Sequence, residues 1–392
     1  MSIKRGLARL AQATPRKLDV ASVRGALPGE ARNTEHGELH LIDEFLEPQH
    51  HHGRTPIAKA LEVSTARLAQ LALDPALESI ALRDALYLDT ETTGLAGGTG
   101  TVPFLIGIAW FEDESLRIQQ LFLPELGREA PMLHWVRERV QQSSCVVTFN
   151  GKTFDWPLLR NRFVLNRVPA PALPPHLDLL HCARRILKAR LRSVRLVELE
   201  RKVLGMHRDD DISGALIPQL YFDYLDGGDV SPMAKVIEHN ANDLIALAAL
   251  VAELVGHFDE VHGSDDPRDH LAYARVAERT GDRSRARSFA SAAASGGGET
   301  ACTVEACLLN ARMARRGGEI DEEERALLAA LGAADLDELR AAVCLALAKF
   351  YEHRRKDPKQ ALRHAAGTRL AEGDEAAARR VQRLERRIAR RS

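Results

Sequence analysis

The sequence predicts an α/β fold, a mixed sheet flanked by helices, which is followed by an all-α region. The first observation is that short apolar runs alternate with helical patterns from Ala85 to about Glu253, as in a sheet covered by helices on both faces. The second is that 16 of the 17 prolines lie at or before Pro267. Because proline breaks helix interiors, the remaining residues, rich in Ala, Leu, Arg and Glu, can be almost continuously helical.

Length and composition set limits on domain number and location. A chain of 392 residues suggests two or three domains of roughly 100–200 residues each. Its 54 basic and 55 acidic residues leave a net charge of −1, which argues against a highly basic nucleic-acid binder. Five cysteines without a C-x-x-C pair suit a reducing cytoplasm. The longest apolar run, Leu244–Ala252, is shorter than the roughly 20 residues of a membrane span, so we expect a cytoplasmic protein without membrane association.

Residues 1–80 are expected to form an N-terminal extension that is partly disordered or helical. The stretch Ala11–Gly37 carries mixed charges and little periodicity, as disordered segments do. The pair Thr55-Pro56 is suited to begin a helix through Leu71, since proline favours the first helical position. The run His50–His52 could bind a metal ion, but consecutive histidines rarely converge on one ion, so a solvated loop is favoured.

Residues 81–262 are expected to form the α/β domain. It begins with a buried strand at Ala85–Asp89, where the apolar residues are continuous. Two more strands, joined by the turn Glu112–Ser115, precede alternating helices and strands, so the sheet is predicted to be mixed. The other predicted elements are strands Thr101–Phe111, Leu116–Leu123, Cys145–Phe149 and Leu177–Leu180, and helices Glu129–Gln142, Asp155–Asn166 and His239–Val255.

Residues 269–392 are expected to form a helical domain. The loop-like run His262–Asp269 precedes it, since Gly, Ser, Asp and Pro cluster there. Leu271–Ala290 and Leu345–Ala365 each resemble one helical hairpin with small residues where the helices cross, the pattern of tetratricopeptide repeats. A plain helical bundle is the alternative.

Four carboxylates at predicted strand and helix ends are the candidate chemical groups. Asp89 and Glu91 end a strand on the same face, because residues i and i+2 point the same way. Asp155 begins a helix, where it could instead serve as an N-cap. His239 lies one helical turn from Asp243. The loop after the first strand contains the glycines Gly94, Gly97, Gly98 and Gly100.

The order and context of these carboxylates resemble the DEDD exonuclease superfamily on the ribonuclease H-like fold, in particular its YprB-like branch. The resemblance spans about Leu82 to Glu253 and extends to a helical tail. The segments that carry it are Asp89–Leu95, Phe149–Asp155, His176–His181, Leu204–Leu225 and His239–Asp243. It implies a ribonuclease H-like fold for 81–262 and a 3′–5′ exonuclease that acts on DNA or RNA.

The resemblance also implies roles for individual residues. Two divalent cations, Mg²⁺ or Mn²⁺, would be bound by Asp89, Glu91, Asp155 and Asp243, since such ions prefer oxygen ligands. His239 would be the general base. Three residues separate it from Asp243, the spacing of the tyrosine subclass, whereas the histidine subclass has four, so a histidine that orients a ligand or lines the crevice is the alternative. Substrate contacts are implied for Thr92, Thr93, Asn150 and Lys152.

Nucleic acid is the partner that this chemistry implies, and two basic stretches are compatible with it. Residues 184–202 carry eight basic against two acidic side chains, and Arg379–Arg391 carry seven against one. Either stretch could follow a phosphate backbone or form a solvated helical face. The expected function is a metal-dependent nuclease. The alternatives are a structure-specific endonuclease on the same site and a catalytically silent nucleic-acid or protein-binding scaffold, with a protein partner possible at the C-terminal helices.

Overall fold

The computed structural model describes residues 27–94, 100–263 and 265–390. The predicted disorder of the first 26 residues lies outside these ranges, as do Gly97 and Gly98 of the glycine loop.

The described chain forms two compact units. The first comprises residues 27–62, Ser79–Leu179 and Leu199–Ala252. The second comprises Val63–Glu78, Leu180–Glu198 and residues 253–390. The continuous domains 81–262 and 269–392 stay a prediction, because compactness alone does not define a folding domain.

The strands of the first unit are β1 (Glu30–Thr34), β2 (Gly37–Leu46), β3 (His51–His52), β4 (Thr55–Pro56), β5 (Ala85–Thr92), β6 (Pro103–Glu112), β7 (Ser115–Phe122), β8 (Cys145–Thr148) and β9 (His176–Asp178). Seven of them form one sheet in the order β1-β2-β7-β6-β5-β8-β9, and β3 and β4 form a separate pair. β5 pairs with β6 in antiparallel orientation and with β8 in parallel orientation. This arrangement confirms the predicted mixed sheet.

Helices account for most of the remaining described residues. The helices are α1 (Thr65–Ala72), α2 (Ala130–Gln142), α3 (Asp155–Leu165), α4 (Leu179–Leu187), α5 (Leu196–Leu199), α6 (Ile217–Leu225), α7 (Ser231–Asp259), α8 (Pro267–Arg279), α9 (Arg283–Ser295), α10 (Thr300–Gly317), α11 (Ile320–Ala333), α12 (Asp337–Phe350), α13 (Pro358–Ala365), α14 (Arg369–Glu372) and α15 (Asp374–Ala389). Those up to α7 alternate with the strands or follow them, and those from α8 onward form a continuous helical series.

The N-terminal region differs from the expectation of a partly disordered or helical extension. Residues 30–46 form β1 and β2, and β2 pairs with β7 at the sheet edge. Thr55–Pro56 is a short strand and not a helix start. A 3₁₀ turn, Ile57–Leu61, and α1 follow it. The side-chain oxygen of Ser64 accepts a hydrogen bond from the amide of Arg67 and so caps α1.

Helix α7 begins earlier than the predicted start at His239. It runs from Ser231 to Asp259, so His239 and Asp243 lie in the body of the helix and not at its end. By length and apolarity α7 could cross a membrane, but 72% of its most apolar window is buried, as in the core helix of a globular protein.

An aromatic cluster in the core of the first unit connects the sheet to α6. The ring of Phe104 stacks on Tyr221 at 4.0 Å between centroids, and the Tyr221 hydroxyl donates to the carbonyl of Leu123 at 2.8 Å. Tyr224 packs edge-on against Phe122 at 5.4 Å. These tyrosines therefore belong to the core and fix α6 over the sheet.

The second unit is helical after Pro267, as the proline distribution predicted. Consecutive helices from α8 to α13 contact one another, and Leu347, Phe350 and Leu384 are buried in one hydrophobic core of this unit. The basic tail is partly neutralised within this unit: the buried carboxylate of Glu352 accepts hydrogen bonds from Arg380, Arg383 and Arg387. These three arginines help to hold the helices together and are therefore less suited to bind phosphate.

Candidate active site

Asp89 lies near the end of β5, the central strand, and is held there by α7. The side-chain amide of Asn240 donates to Asp89 Oδ2 at 2.8 Å. Gln120 of β7 donates in turn to Asn240 Oδ1 at 2.9 Å and to the carbonyl of Ile237 at 2.7 Å. Because Asn240 is fully buried, this chain of hydrogen bonds fixes the Asp89 carboxylate against the helix.

A glycine makes room for Asn240. Asp89, Gly107 and Gln120 lie opposite one another on neighbouring strands of the sheet. A Cβ atom on Gly107 would approach Asn240 Oδ1 to 2.2 Å and Leu244 Cδ1 to 2.8 Å. The absence of a side chain at this position therefore permits α7 to pack against β6 and place Asn240 beside Asp89.

Glu91, His239 and Asp243 converge from β5 and α7. Their ligand atoms all lie within 4.8 Å of one another. His239 Nε2 is 3.9 Å from Glu91 Oε1 and 3.8 Å from Asp243 Oδ2. The alternation of β5 and the one-turn spacing on α7 bring these three groups together.

The other ring nitrogen of His239 contacts a carboxylate that the sequence analysis did not single out. Nδ1 lies 2.7 Å from Asp211 Oδ1. Since an ionised carboxylate only accepts hydrogen bonds, Nδ1 carries the proton of this contact. Asp211 therefore fixes the orientation of the imidazole and turns Nε2 toward Glu91 and Asp243.

Asp155 is the first residue of α3, but its side chain does not cap the helix. The residue at the N-cap position is Phe154. The Asp155 carboxylate accepts a hydrogen bond from the hydroxyl of Thr90 at 2.5 Å. Burial raises the pKa of Asp155 to about 6, although the Thr90 hydrogen bond opposes the shift. Asp155 and Asp89 lie outside the three-residue group formed by Glu91, His239 and Asp243.

The predicted substrate-contacting residues lie at and just after the end of β5 and in the turn before α3. Thr92 donates to the carbonyl of Gly94 at 2.8 Å, and the Thr93 hydroxyl accepts from the amide of Val102 at 2.9 Å, so both hydroxyls stabilise the start of the glycine loop. Asn150 and Lys152 are exposed side chains on the turn before α3.

The turn before α3 is anchored by β9. Asp178 accepts hydrogen bonds from the backbone amides of Asn150 at 2.8 Å and Lys152 at 3.1 Å. Asn150 has a φ of 71°, the left-handed region that asparagine tolerates. Asp178 therefore stabilises the conformation that leads into Asp155.

The electrostatics of the cluster fit a cation. Burial, followed by the charges of Asp243 and Asp155, raises the pKa of Asp89 well above its usual range. Burial and the Asp89 charge do the same for Glu91, and burial raises the pKa of Asp243. Carboxylates that repel one another bind divalent cations readily, and hard ions such as Mg²⁺ prefer their oxygens. The donor set therefore fits a divalent metal ion, as the family resemblance implies.

Several residues of the site were missed from sequence. Asn240 directly follows His239, and Asp211 lies within Leu204–Leu225, a segment that resembles the family, so both had a signal. Arg208, which contacts Asp243 at 2.5 Å, had none, because an arginine followed by three aspartates is typical of a solvated turn. His52 belongs to the histidine run for which a solvated loop was favoured. That expectation was wrong for His52, which is buried and contacts Glu200 at 2.7 Å.

Comparison with known proteins agrees with this geometry. A model of the RNase H superfamily matches residues 86–255, the range that contains the four carboxylates, Asp211 and His239. YprB of Bacillus subtilis (strain 168), an uncharacterized protein, is 30% identical over 335 residues, which cover 84% of this chain and 80% of YprB. The match to YprB therefore extends beyond residues 86–255 into the rest of the chain. The chain therefore belongs to the YprB-like family and carries a domain of the RNase H superfamily, which supports a nuclease-type activity.

Proposed function

We propose that the chain is a metal-dependent nuclease that hydrolyses phosphodiester bonds of DNA or RNA as a 3′–5′ exonuclease. The observation that carries the proposal is the convergence of Glu91, His239 and Asp243 within 4.8 Å next to Asp89. The proposed ligands of two ions, Mg²⁺ or Mn²⁺, are Asp89, Glu91, Asp155 and Asp243.

The bound ions would activate water and stabilise the leaving oxygen of the phosphodiester. The protein residues would orient these groups. Asn240 holds Asp89, and Thr90 holds Asp155, so two of the proposed ligands have fixed positions. His239 would take the proton from water at Nε2, because Asp211 occupies Nδ1.

We also propose roles for other parts of the chain. Thr92, Thr93, Asn150 and Lys152 border the carboxylates in sequence, and we propose that they contact the terminal nucleotides. The helical region 269–392 is the proposed site for a protein partner. All five cysteines are buried thiols, which supports a reducing compartment such as the cytoplasm.

The test is a cleavage assay with end-labelled linear and circular DNA and RNA, in Mg²⁺, Mn²⁺ or chelator. We expect linear substrates to be shortened from the 3′ end only with metal, and circles to stay intact. Cleaved circles would support an endonuclease on the same site. No cleavage of any substrate would favour the nucleic-acid or protein-binding scaffold.

Site variants test the assigned roles in the same assay. We expect Asp89→Asn and Asp155→Asn to abolish metal-dependent cleavage, because each removes a proposed ligand. His239→Gln should lower the rate by about 10²–10⁴-fold, as loss of a general base does, without abolishing metal binding. Asp223→Asn is the matched control, because Asp223 is exposed and its carboxylate contacts Gln219 on α6. Full activity in both aspartate variants would refute the assignment.

A further inference from the structure

Arg208 is a buried arginine in direct contact with the carboxylate cluster. Its side chain is 5% exposed. Nη2 donates to Asp243 Oδ1 at 2.5 Å and to Glu200 Oε1 at 2.8 Å, and Nε donates to the same Glu200 oxygen at 3.0 Å. One guanidinium group is therefore shared between two carboxylates.

The guanidinium is also held by partners other than Asp243. Glu200 Oε1 also contacts His52 Nε2 at 2.7 Å, and both of these side chains are 1% exposed. Nη1 of Arg208 lies 3.4 Å from Asp211 Oδ2 and 3.4 Å from the carbonyl oxygen of His239. Because these partners come from separate segments, Arg208 has a fixed position and is not a mobile surface cation.

The two oxygens of Asp243 face different surroundings. Oδ1 binds Arg208, whereas Oδ2 lies 3.8 Å from His239 Nε2, within the group that includes Glu91. The same carboxylate therefore faces a resident positive charge on one side and a set of potential metal ligands on the other.

We propose that Arg208 competes with a divalent cation for Asp243. The inference rests on the proposed function and deepens it. In the metal-free chain Arg208 offsets part of the negative charge of the cluster, which would otherwise be uncompensated in a buried site. When a cation binds near Asp243, the guanidinium repels it and already occupies one carboxylate oxygen, so this ion binds more weakly than the ion at Asp89.

The test is a titration of the full-length, metal-free chain with Mn²⁺. Binding is monitored by isothermal titration calorimetry and by the electron paramagnetic resonance signal of free Mn²⁺. We expect the wild type to bind one ion tightly and a second more weakly. Arg208→Gln should bind the weaker ion at least about tenfold more tightly. It should melt at a lower temperature than the wild type without metal, and Mn²⁺ should raise its melting temperature more than that of the wild type.

Two control variants separate charge from packing. Arg208→Lys keeps the positive charge and should retain the weak second site. Arg162→Gln removes another largely buried arginine, one that binds Glu129 in the same unit; it should lower the melting temperature and leave Mn²⁺ binding unchanged. If Arg208→Gln does not fold even with Mn²⁺, Arg208→Met, of similar length, is judged by the same criteria.

The outcomes distinguish this inference from the proposed function. Unchanged or weaker Mn²⁺ binding in the neutral variant, or equal tightening in Arg208→Lys, would overturn the competition. A wild-type chain that binds no Mn²⁺ would instead remove the proposed metal-dependent function. A neutral variant that folds only with Mn²⁺ would support the inference, since the ion would then replace the lost charge.

Discussion

Asp155 connects folding to pH through one buried carboxylate. Its pKa in the folded chain is about 6, against about 3.9 for an aspartate in an unfolded chain. The folded chain therefore binds this proton more tightly than the unfolded chain. The resulting stabilisation is fully present below about pH 4 and is lost as the pH rises through about 6.

We expect Asp155→Asn to stabilise the metal-free chain progressively more as the pH rises from about 4 to 7, and the difference from the wild type to stay constant above that. Asparagine resembles the protonated acid and can still accept the hydrogen bond from Thr90, so the variant avoids burying a charge. The gain in free energy of unfolding should reach at most about 3 kcal/mol, from two pKa units. Urea unfolding in chelator at several pH values measures it.

Metal provides the control for the Asp155 prediction. In Mg²⁺ the order of stability should reverse, because only the wild-type carboxylate can bind the ion and gain stability from it. A difference between variant and wild type that is independent of pH and of Mg²⁺ would show that packing around Asp155, and not its charge, determines the effect.

The acidic residues could be predicted from sequence because each lies in a short local pattern. Asp89 and Glu91 alternate on a strand, and His239 and Asp243 are spaced by one helical turn. Arg208 could not be predicted, because its role depends on Glu200, whose other partner, His52, is 148 residues away in the chain. Such long-range contacts leave no periodic signal.

At the scale of elements, the packing of β6 against α7 determines where Asp89 is held. We expect Gly107→Ala to lower the free energy of unfolding by about 1–3 kcal/mol, the usual cost of overpacking. The new Cβ would displace Asn240, which it would approach to 2.2 Å at Oδ1, and so release Asp89. Mn²⁺ affinity should fall together with stability.

A second glycine gives the matched control for Gly107. Gly256 lies in α7 with nothing within 4 Å of its Cβ position, so Gly256→Ala should raise stability by about 0.5–1 kcal/mol and leave Mn²⁺ affinity unchanged. Urea unfolding and Mn²⁺ titration of both variants check the pair. If Gly107→Ala left stability and metal affinity at wild-type values, the proposed spacing role of Gly107 would be wrong.

The elements that were predicted correctly have clear apolar patterns, and those that were missed do not. β5 to β8 follow continuous buried runs close to the predicted ranges. β1 is almost wholly exposed and only Leu39–Ile42 is buried in β2. β2 therefore forms because β7 offers an edge for pairing, and β1 forms because β2 offers the next one. The start of α7 had a signal, Ser231-Pro232, since proline favours the first turn of a helix.

At the scale of the whole molecule, the near-zero net charge conceals basic groups of two kinds. Arg380, Arg383 and Arg387 are bound to Glu352 within the helices. Arg184, Arg192 and Arg195 are exposed, and no ion pair of theirs is present among the described residues. Arg184, Arg192 and Arg195 are therefore better placed to release counterions when they meet a phosphate backbone.

We therefore expect the triple variant Arg184→Gln, Arg192→Gln and Arg195→Gln to bind nucleic acid more weakly and with less dependence on salt. Each lost phosphate contact on a single strand lowers the slope of log affinity against log salt by about 0.7, so three contacts lower it by about 2. Fluorescence anisotropy with labelled single strands between low and physiological salt measures the slope. The control, Arg383→Gln, should lower the melting temperature and leave the slope unchanged, because its charge is bound to Glu352. A slope unchanged in the triple variant would assign residues 184–195 to a solvated face and leave phosphate binding to other basic groups.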